Sequence, residues 1–258
     1  MAFRIRDAVP SPSDDDAKFI TSAFDSSIPH LSSIGSAGQW GTDQLSVARP
    51  GFLARHASAI ADAEAYRLAS SGSGSGSTST STSSSSSGAP INNKPVRVLI
   101  AEAALPGRDG DGDGAGAGHG QQRYLPVGAA TLRANYLPQY VLDQEHLRGV
   151  TGPLLAGAAG EGGGDFMFLE VLITDFGEAA RGYRRGAGAA LVRYAKEWAG
   201  KELGIHAMYV DCWAGNEEKL VRFYESQGFK RIDGFVTKRP DGEEWRGMFL
   251  RMDLKGSE

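Results

Sequence analysis

Arg185-Gly186-Ala187-Gly188-Ala189-Ala190-Leu191 is the stretch that decides how this chain is read. Upstream lies a nearly continuous apolar, β-branched run from Phe166 to Thr174. Downstream, Leu191, Tyr194, Ala195 and Trp198 recur at helical spacing. A strand, a glycine turn and a helix start form an anion cradle. Glycine lets the backbone approach a ligand closely. The first helical N–H groups have no acceptor within the helix, and the helix dipole favours negative charge there. A pyrophosphate suits that place.

A second block, Asn216 to Phe229, gives the first its weight. Asn216 reads as a helix N-cap, with Glu217 and Glu218 in the first turn. Leu220, Phe223, Tyr224 and Gln227 share a face, and Gly228 is the stop. Between the blocks, Ala187 to Leu203 reads as helix, Gly204 as its end and His206 to Trp213 as strand. Elsewhere, Phe3 to Arg6 reads as a short strand, Ala17 to Phe24 and Pro50 to Leu68 as helices, and Pro29 to Asp43 as a loop around Trp40. Val96 to Ala104 and Tyr124 to Leu132 read as paired strands, and Leu142 to Arg148 as a short helix. Phe229 to Val236 and Trp245 to Leu254 read as a hairpin about Pro240-Asp241-Gly242. The expected fold is α/β (α+β): a mixed, mostly antiparallel central sheet flanked by helices.

The 258 residues are 41% hydrophobic, enough for a core. Three biased stretches, at 70–90, 106–122 and 151–165, are expected to be disordered insertions in one domain spanning 1–258. Every residue from Ser70 to Gly88 is Ser, Gly or Thr, which cannot bury enough apolar surface to offset ordering entropy. The formal net charge of −4 gives no basic surface for nucleic acid. Cys212 is the only cysteine, so no disulfide framework forms. No run of about eighteen apolar residues suggests a membrane span, and no apolar leader opens the chain. A cytoplasmic protein, monomer or homodimer, is expected.

The two blocks resemble those of the GNAT superfamily of acyl-CoA-dependent N-acetyltransferases. Arg185 to Ala190 resembles its R/Q-x-x-G-x-G/A loop. Asn216 with Phe223-Tyr224-Glu225-Ser226-Gln227-Gly228-Phe229 resembles its second block, and Val127 to Leu132 the strand before its central strand. The resemblance implies acetyl-CoA as co-substrate, with the pyrophosphate on the amides of Arg185, Gly186, Ala187, Gly188, Ala189 and Ala190. It implies pantetheine beside Leu172, Ile173 and Thr174, a cofactor contact from Asn216, and Tyr224 as the acid that protonates the departing thiolate. A second register, with Tyr183 in the Arg/Gln position, stays open.

Acetyl transfer to an amine also calls for a base. Glu170 interrupts an apolar strand, where desolvation would raise its pKa toward a useful range. Asp211 is the runner-up, and a water chain is the third option. Cys212 reads as a core residue sooner than a nucleophile. The five histidines show no metal-ligand spacing, and Asp109 to Gly114 lacks the twelfth-position acid of a calcium loop, so no metal is expected. Phe24 and Trp40 are candidates for an acceptor wall. The expected function is transfer of an acetyl group from acetyl-CoA to a primary amine of a small-molecule acceptor, in a ternary complex. A protein lysine or N-terminal acetyltransferase, and a CoA-binding module without turnover, are the alternatives.

Overall fold

A computed structural model describes residues 2–72, 95–106, 122–159, 165–239 and 242–254. The expected tip of the terminal hairpin at 240–241, the acidic stretch at 107–121 and most of the Ser/Gly/Thr tract lie outside these residues. One seven-stranded sheet runs through the rest. Its strands are β1 (Phe3–Asp7), β2 (Val96–Ala104), β3 (Tyr124–Ala134), β4 (Phe166–Thr174), β5 (Ala207–Trp213), β6 (Lys230–Lys238) and β7 (Glu244–Asp253), in spatial order β1-β2-β3-β4-β5-β7-β6. Only β4 and β5 pair in parallel; every other neighbouring pair is antiparallel. The mixed, mostly antiparallel sheet expected from the sequence is the sheet observed.

The helices are α1 (Asp15–Ser33), α2 (Leu45–Ala48), α3 (Phe52–Gly72), α4 (Gln139–Leu142), α5 (Arg148–Ala159), α6 (Ala187–Glu197) and α7 (Lys219–Ser226). On one face of the sheet, α6 and α7 cover Leu99, Leu132, Met167, Met208, Val210 and Leu250. On the other, α1 and α3 cover Val98, Ile100, Ala129 and Ile173. The connection from β3 to β4 covers Phe166, Phe168, Tyr209 and Phe249 beside them. Two packed clusters therefore meet on the second face, near the middle of β4.

Three expectations need correcting. The first helix does not stop before Pro29 but runs to Ser33 through it. Its stripe of Ile20, Phe24 and Ile28 is fully buried. Burying each such side chain is worth about 1.5–3 kcal/mol, enough to hold a helix across one missing N–H. The stretch 151–165 is not a loop throughout, because α5 continues to Ala159. Leu147, Val150 and Leu154 form a stripe against the third cluster, and the buried Thr151 hydroxyl donates to the Leu147 carbonyl. Gly and Pro153 masked that period. Finally, Leu142 to Arg148 is not one short helix: α4 ends at Leu142 and a 3-10 turn, Glu145–Leu147, follows.

Candidate active site

The site begins with a failure of pairing. β4 and β5 are joined only at Phe166↔Ala207, Met167↔Met208 and Phe168↔Tyr209. Past that point the strands separate. The cause lies on the other edge of β4. Thr131 faces Val171 and Leu132 faces Leu169, so Glu170 is an extra residue without a partner on β3. Such a bulge bends its strand and increases its twist. The β5-side edge of β4 from Leu169 to Thr174, including Leu172, Ile173 and Thr174, is left unpaired by strand. Unpaired strand groups seek a partner.

A cleft of about 600 Å³ lies over this gap, a size suited to small molecules. Glu170 and Leu172 come to it from β4, Asp211 and Cys212 from β5, and Tyr224 from α7. Alternation along β5 sets Asp211 on the face of Tyr209 and Cys212 on the face of Val210, where Tyr224 packs. The gap thus joins two sides of the sheet.

The carboxylates differ in kind. Glu170 accepts from Arg133 Nε at 2.6 Å and from Arg55 Nη2 at 2.7 Å. Burial pushes its pKa up, but the two guanidiniums outweigh burial and hold it below the usual carboxylate range. The expectation of a raised pKa at Glu170 is therefore wrong: the bulge places it between two cations from β3 and α3, which sequence spacing does not reveal. Among the described residues, no cation pairs with Asp211. Burial pushes its pKa to about 7, and a hydrogen bond from Tyr140 only partly offsets this. Asp211 is the carboxylate poised to exchange a proton near neutral pH.

Tyr224 is 5% exposed and edge-packed between Phe223 and Phe229, at ring separations of 5.2 and 5.5 Å. Burial, then the nearby Cys212 and Asp211, push its pKa well up, so the phenol keeps its proton. Cys212 is buried and its thiol is also pushed up by burial, which leaves it a poor nucleophile.

The glycine loop starts α6 as expected. Gly186 is left-handed, at φ 92°, and Ala187 is the first helical residue. That φ suits only glycine well. Not every amide from Arg185 to Ala190 is available, however. Ala187 N–H donates to the Arg184 carbonyl and Ala190 N–H to the Gly186 carbonyl, both at 3.0 Å. Among the described residues, the N–H groups of Arg185, Gly186, Gly188 and Ala189 meet no protein acceptor. A Cβ on Gly188 would reach Phe223, Thr174 and Leu172 at 3.6–4.0 Å, so this glycine faces the end of the β4 gap. Free amides at a helix start, opening on an unpaired strand edge, fit a diphosphate with an amide-bearing arm.

Asn216 departs from expectation. It does not cap α7; Asn216, Glu217 and Glu218 form one left-handed turn, with φ of 49°, 55° and 57°. Its Nδ2 donates to the Ile34 carbonyl at 2.8 Å and to Ser36 Oγ at 2.5 Å, so both amide hydrogens are used within the protein. Its role is to anchor the loop after α1. The indole of Trp213 packs against Gly38 and Gly215, where a Cβ would come within 2.7 and 2.0 Å of the ring. Arg239 Nη1 donates to the Gly38 carbonyl and Trp245 Nε1 to that of Gln39, each at 3.1 Å. The loop around Trp40 is thereby tied across the cleft to β6 and β7.

Residues 176–229 match the profile of the acetyltransferase (GNAT) family. The matched segment contains both motif blocks, and the GNAT resemblance read from the sequence is upheld. No curated protein matches the chain. Solved structures of distant likeness include the YncA protein of Salmonella typhimurium with its cofactor acetyl-CoA, at 14% identity, covering 100% of this chain and 96% of that one, with a TM-score of 0.48. The ribosomal-protein-alanine N-acetyltransferase of Brucella melitensis is also 14% identical, covering 97% and 99%, with a TM-score of 0.45. Arabidopsis thaliana NAA60, in complex with a bisubstrate analogue, is 15% identical, covering 65% and 80%, with a TM-score of 0.40. None of the three is close enough to speak to activity.

Several lining residues of the cleft carry no signal in the sequence: Arg55, His56, Tyr136, Tyr140 and Trp245. Their types are ordinary for helices and hairpins. Only the loop ties and the bulge bring them together. Phe24 and Trp40, named as a candidate wall, do line the cleft and meet edge to face at 5.5 Å.

Proposed function

We propose that this chain transfers an acetyl group from acetyl-CoA to the primary amine of a small molecule, by direct attack with both substrates bound. The observation that carries the reading is that Asp211 and Tyr224 open onto one cleft from opposite sides of the β4–β5 gap. The GNAT match over the glycine loop and α7 supports the same reading.

The thioester of acetyl-CoA would supply the activated acetyl group. The amides of Arg185, Gly186, Gly188 and Ala189 would hold the diphosphate, and the open edge of β4 at Leu172 to Thr174 would hold the arm. Asp211 would accept the proton that the bound ammonium loses to become the neutral, attacking amine, at a carboxyl whose pKa of about 7 suits the task. As the nitrogen–carbon bond forms and the carbon–sulfur bond breaks, Tyr224 Oη would deliver a proton to sulfur, and the second proton shed by the new amide nitrogen would restore the phenol through solvent. Glu170 would not exchange protons; clamped by Arg55 and Arg133, it would hold the bulge that opens the gap. The cleft, bridged by the Trp40 loop, favours a small acceptor over a protein chain. One sheet running through all the described segments supports a single domain.

Thiol release from acetyl-CoA, measured with a panel of amines, tests the reading. Release that depends on an added amine is expected. Cofactor binding without amine-dependent release would leave a CoA-binding protein.

A further inference from the structure

The charges around Glu170 do not balance. Arg133, on the neighbouring strand β3 and 23% exposed, donates from Nε to Glu170 Oε2 at 2.6 Å and by itself neutralises the carboxylate. Arg55 brings a second guanidinium from α3, with Nη2 2.7 Å from Oε1. Neither arginine has another acidic partner among the described residues. Two arginines on one carboxylate leave a net positive charge at the cleft wall, and Arg55 is the one that charge neutrality does not require.

Arg55 is also the outward half of this cluster. Its side chain lines the cleft and is 59% exposed, against 11% for Glu170. A guanidinium carries five N–H donors in a planar fork. Arg55 spends one of them on Glu170, and its Nε and Nη1 meet no protein acceptor among the described residues. Such a fork takes a carboxylate through two parallel charge-assisted hydrogen bonds. The charge of Glu170 is felt at Asp211, so Arg55 stands in the same cleft as the proposed base without pairing with it. The cleft thus holds a proton acceptor for an ammonium and, apart from it, a cation with donors to spare.

We propose that the acceptor is an amino acid in the broad sense, a primary amine that also carries a carboxylate, and that Arg55 binds this carboxylate while the amine lies toward Asp211. This deepens the acetyl-transfer reading and rests on the cleft being the acceptor site. The carboxylate completes the charge balance that Glu170 leaves open. A plain alkylamine leaves the fork to water. A polyamine brings further ammonium groups up to a guanidinium, a like-charge approach that costs affinity.

The experiment uses the full chain and two matched pairs of acceptors, each an amino acid beside the amine that lacks its carboxylate: leucine with isopentylamine, and β-alanine with ethylamine. Spermidine is the polycationic competitor. Thiol release from acetyl-CoA gives kcat/KM, and calorimetry in the presence of CoA gives acceptor affinity. In at least one pair the amino acid is expected to be favoured by about tenfold to hundredfold, the effect of hydrogen bonds to a charged group. That ratio is expected to fall toward one in Arg55→Gln, and part of the way in Arg55→Lys, which keeps the charge and loses the fork. Should neither variant fold, inhibition of the native protein decides: isocaproate, which is leucine without its amine, is expected to compete with the acceptor better than isocaproamide, and equal inhibition by the two would overturn the proposal. Carboxylate-selective binding with no thiol release from any amine would uphold the Arg55 site and sink acetyl transfer. Thiol release with no gain from the carboxylate in either pair, or with spermidine ahead of both amino acids, would uphold transfer and overturn the Arg55 site. A carboxylate preference that persists undiminished in both folded variants would overturn it too.

Discussion

The hydroxyl of Tyr140 lies 3.1 Å from both carboxylate oxygens of Asp211. Tyr140 comes from α4 and Asp211 from the last turn of pleat in β5, 71 residues apart. The phenol's own pKa is pushed up, by burial first and then by Asp211, so it keeps its proton and donates it as a hydrogen bond to the carboxylate. Asp211 thus has an oriented donor and, among the described residues, no counter-cation. That combination leaves its pKa near neutrality and separates it from Glu170 on the neighbouring strand.

Asp211→Asn is expected to lower kcat by roughly 10²–10⁴-fold, the usual range for a lost general base. In the native protein, kcat should rise as pH passes about 7 and level off above it, because the base is active only when deprotonated and its folded-state pKa is about 7. A pH–rate profile from 5 to 9 checks this. Retention of that rising limb in Asp211→Asn would exclude Asp211 as its source.

Glu170→Gln should behave differently. The amide keeps the shape but leaves Arg55 and Arg133 without a carboxylate, at a cost of about 1–3 kcal/mol in stability. The pH midpoint of kcat should not move. Thermal unfolding and the same pH profile separate the two effects; a lost rising limb with normal melting would return the base role to Glu170.

Tyr224→Phe preserves the edge contacts with Phe223 and Phe229 and removes only the hydroxyl. Turnover should drop by roughly 10-fold or more while the affinity for CoA stays within about twofold, the pattern of an interaction made only in the transition state. Steady-state kinetics beside calorimetric CoA binding decide it. A loss of CoA affinity equal to the loss of turnover would make the phenol a binding group.

At Gly188 a Cβ has ordinary contact distances, so Gly188→Ala should fold normally. Helix propensity adds about 0.8–1.0 kcal/mol in its favour. Gly188→Phe is expected to fill the space between α6, Phe223 and the end of β4, abolishing CoA binding. Calorimetry on the two variants tests the cradle: undiminished CoA affinity in the phenylalanine variant would place the cofactor elsewhere.

Much of the scaffold was legible because it rests on local periodicity. The buried strand β4, the glycine turn at Gly186, the amphipathic faces of α6 and α7 and the left-handed stop at Gly228 all follow from a few adjacent residues. Where local rules misled, packing outweighed them. Pro29 sits inside α1 because the helix face around it is buried, and α5 persists through Pro153 because Leu147, Val150 and Leu154 meet the sheet. Asn216 has the composition of a cap, yet it serves as a tether to a loop 180 residues away.

By itself the sequence determined the order of the seven strands, the presence of α1, α3, α6 and α7 between them, and the position of a helix start suited to an anion. It also placed the phenol and two carboxylates within the segments that build the site. The tertiary structure alone decided which carboxylate keeps a near-neutral pKa. The reason is electrostatic and long-range: Arg55 and Arg133 reach Glu170 from elements 115 and 37 residues away, while among the described residues Asp211 meets the Tyr140 hydroxyl and no cation. Spacing along a chain sets which side chains share a face, but a pKa depends on every charge within a few ångströms, whatever its place in the sequence.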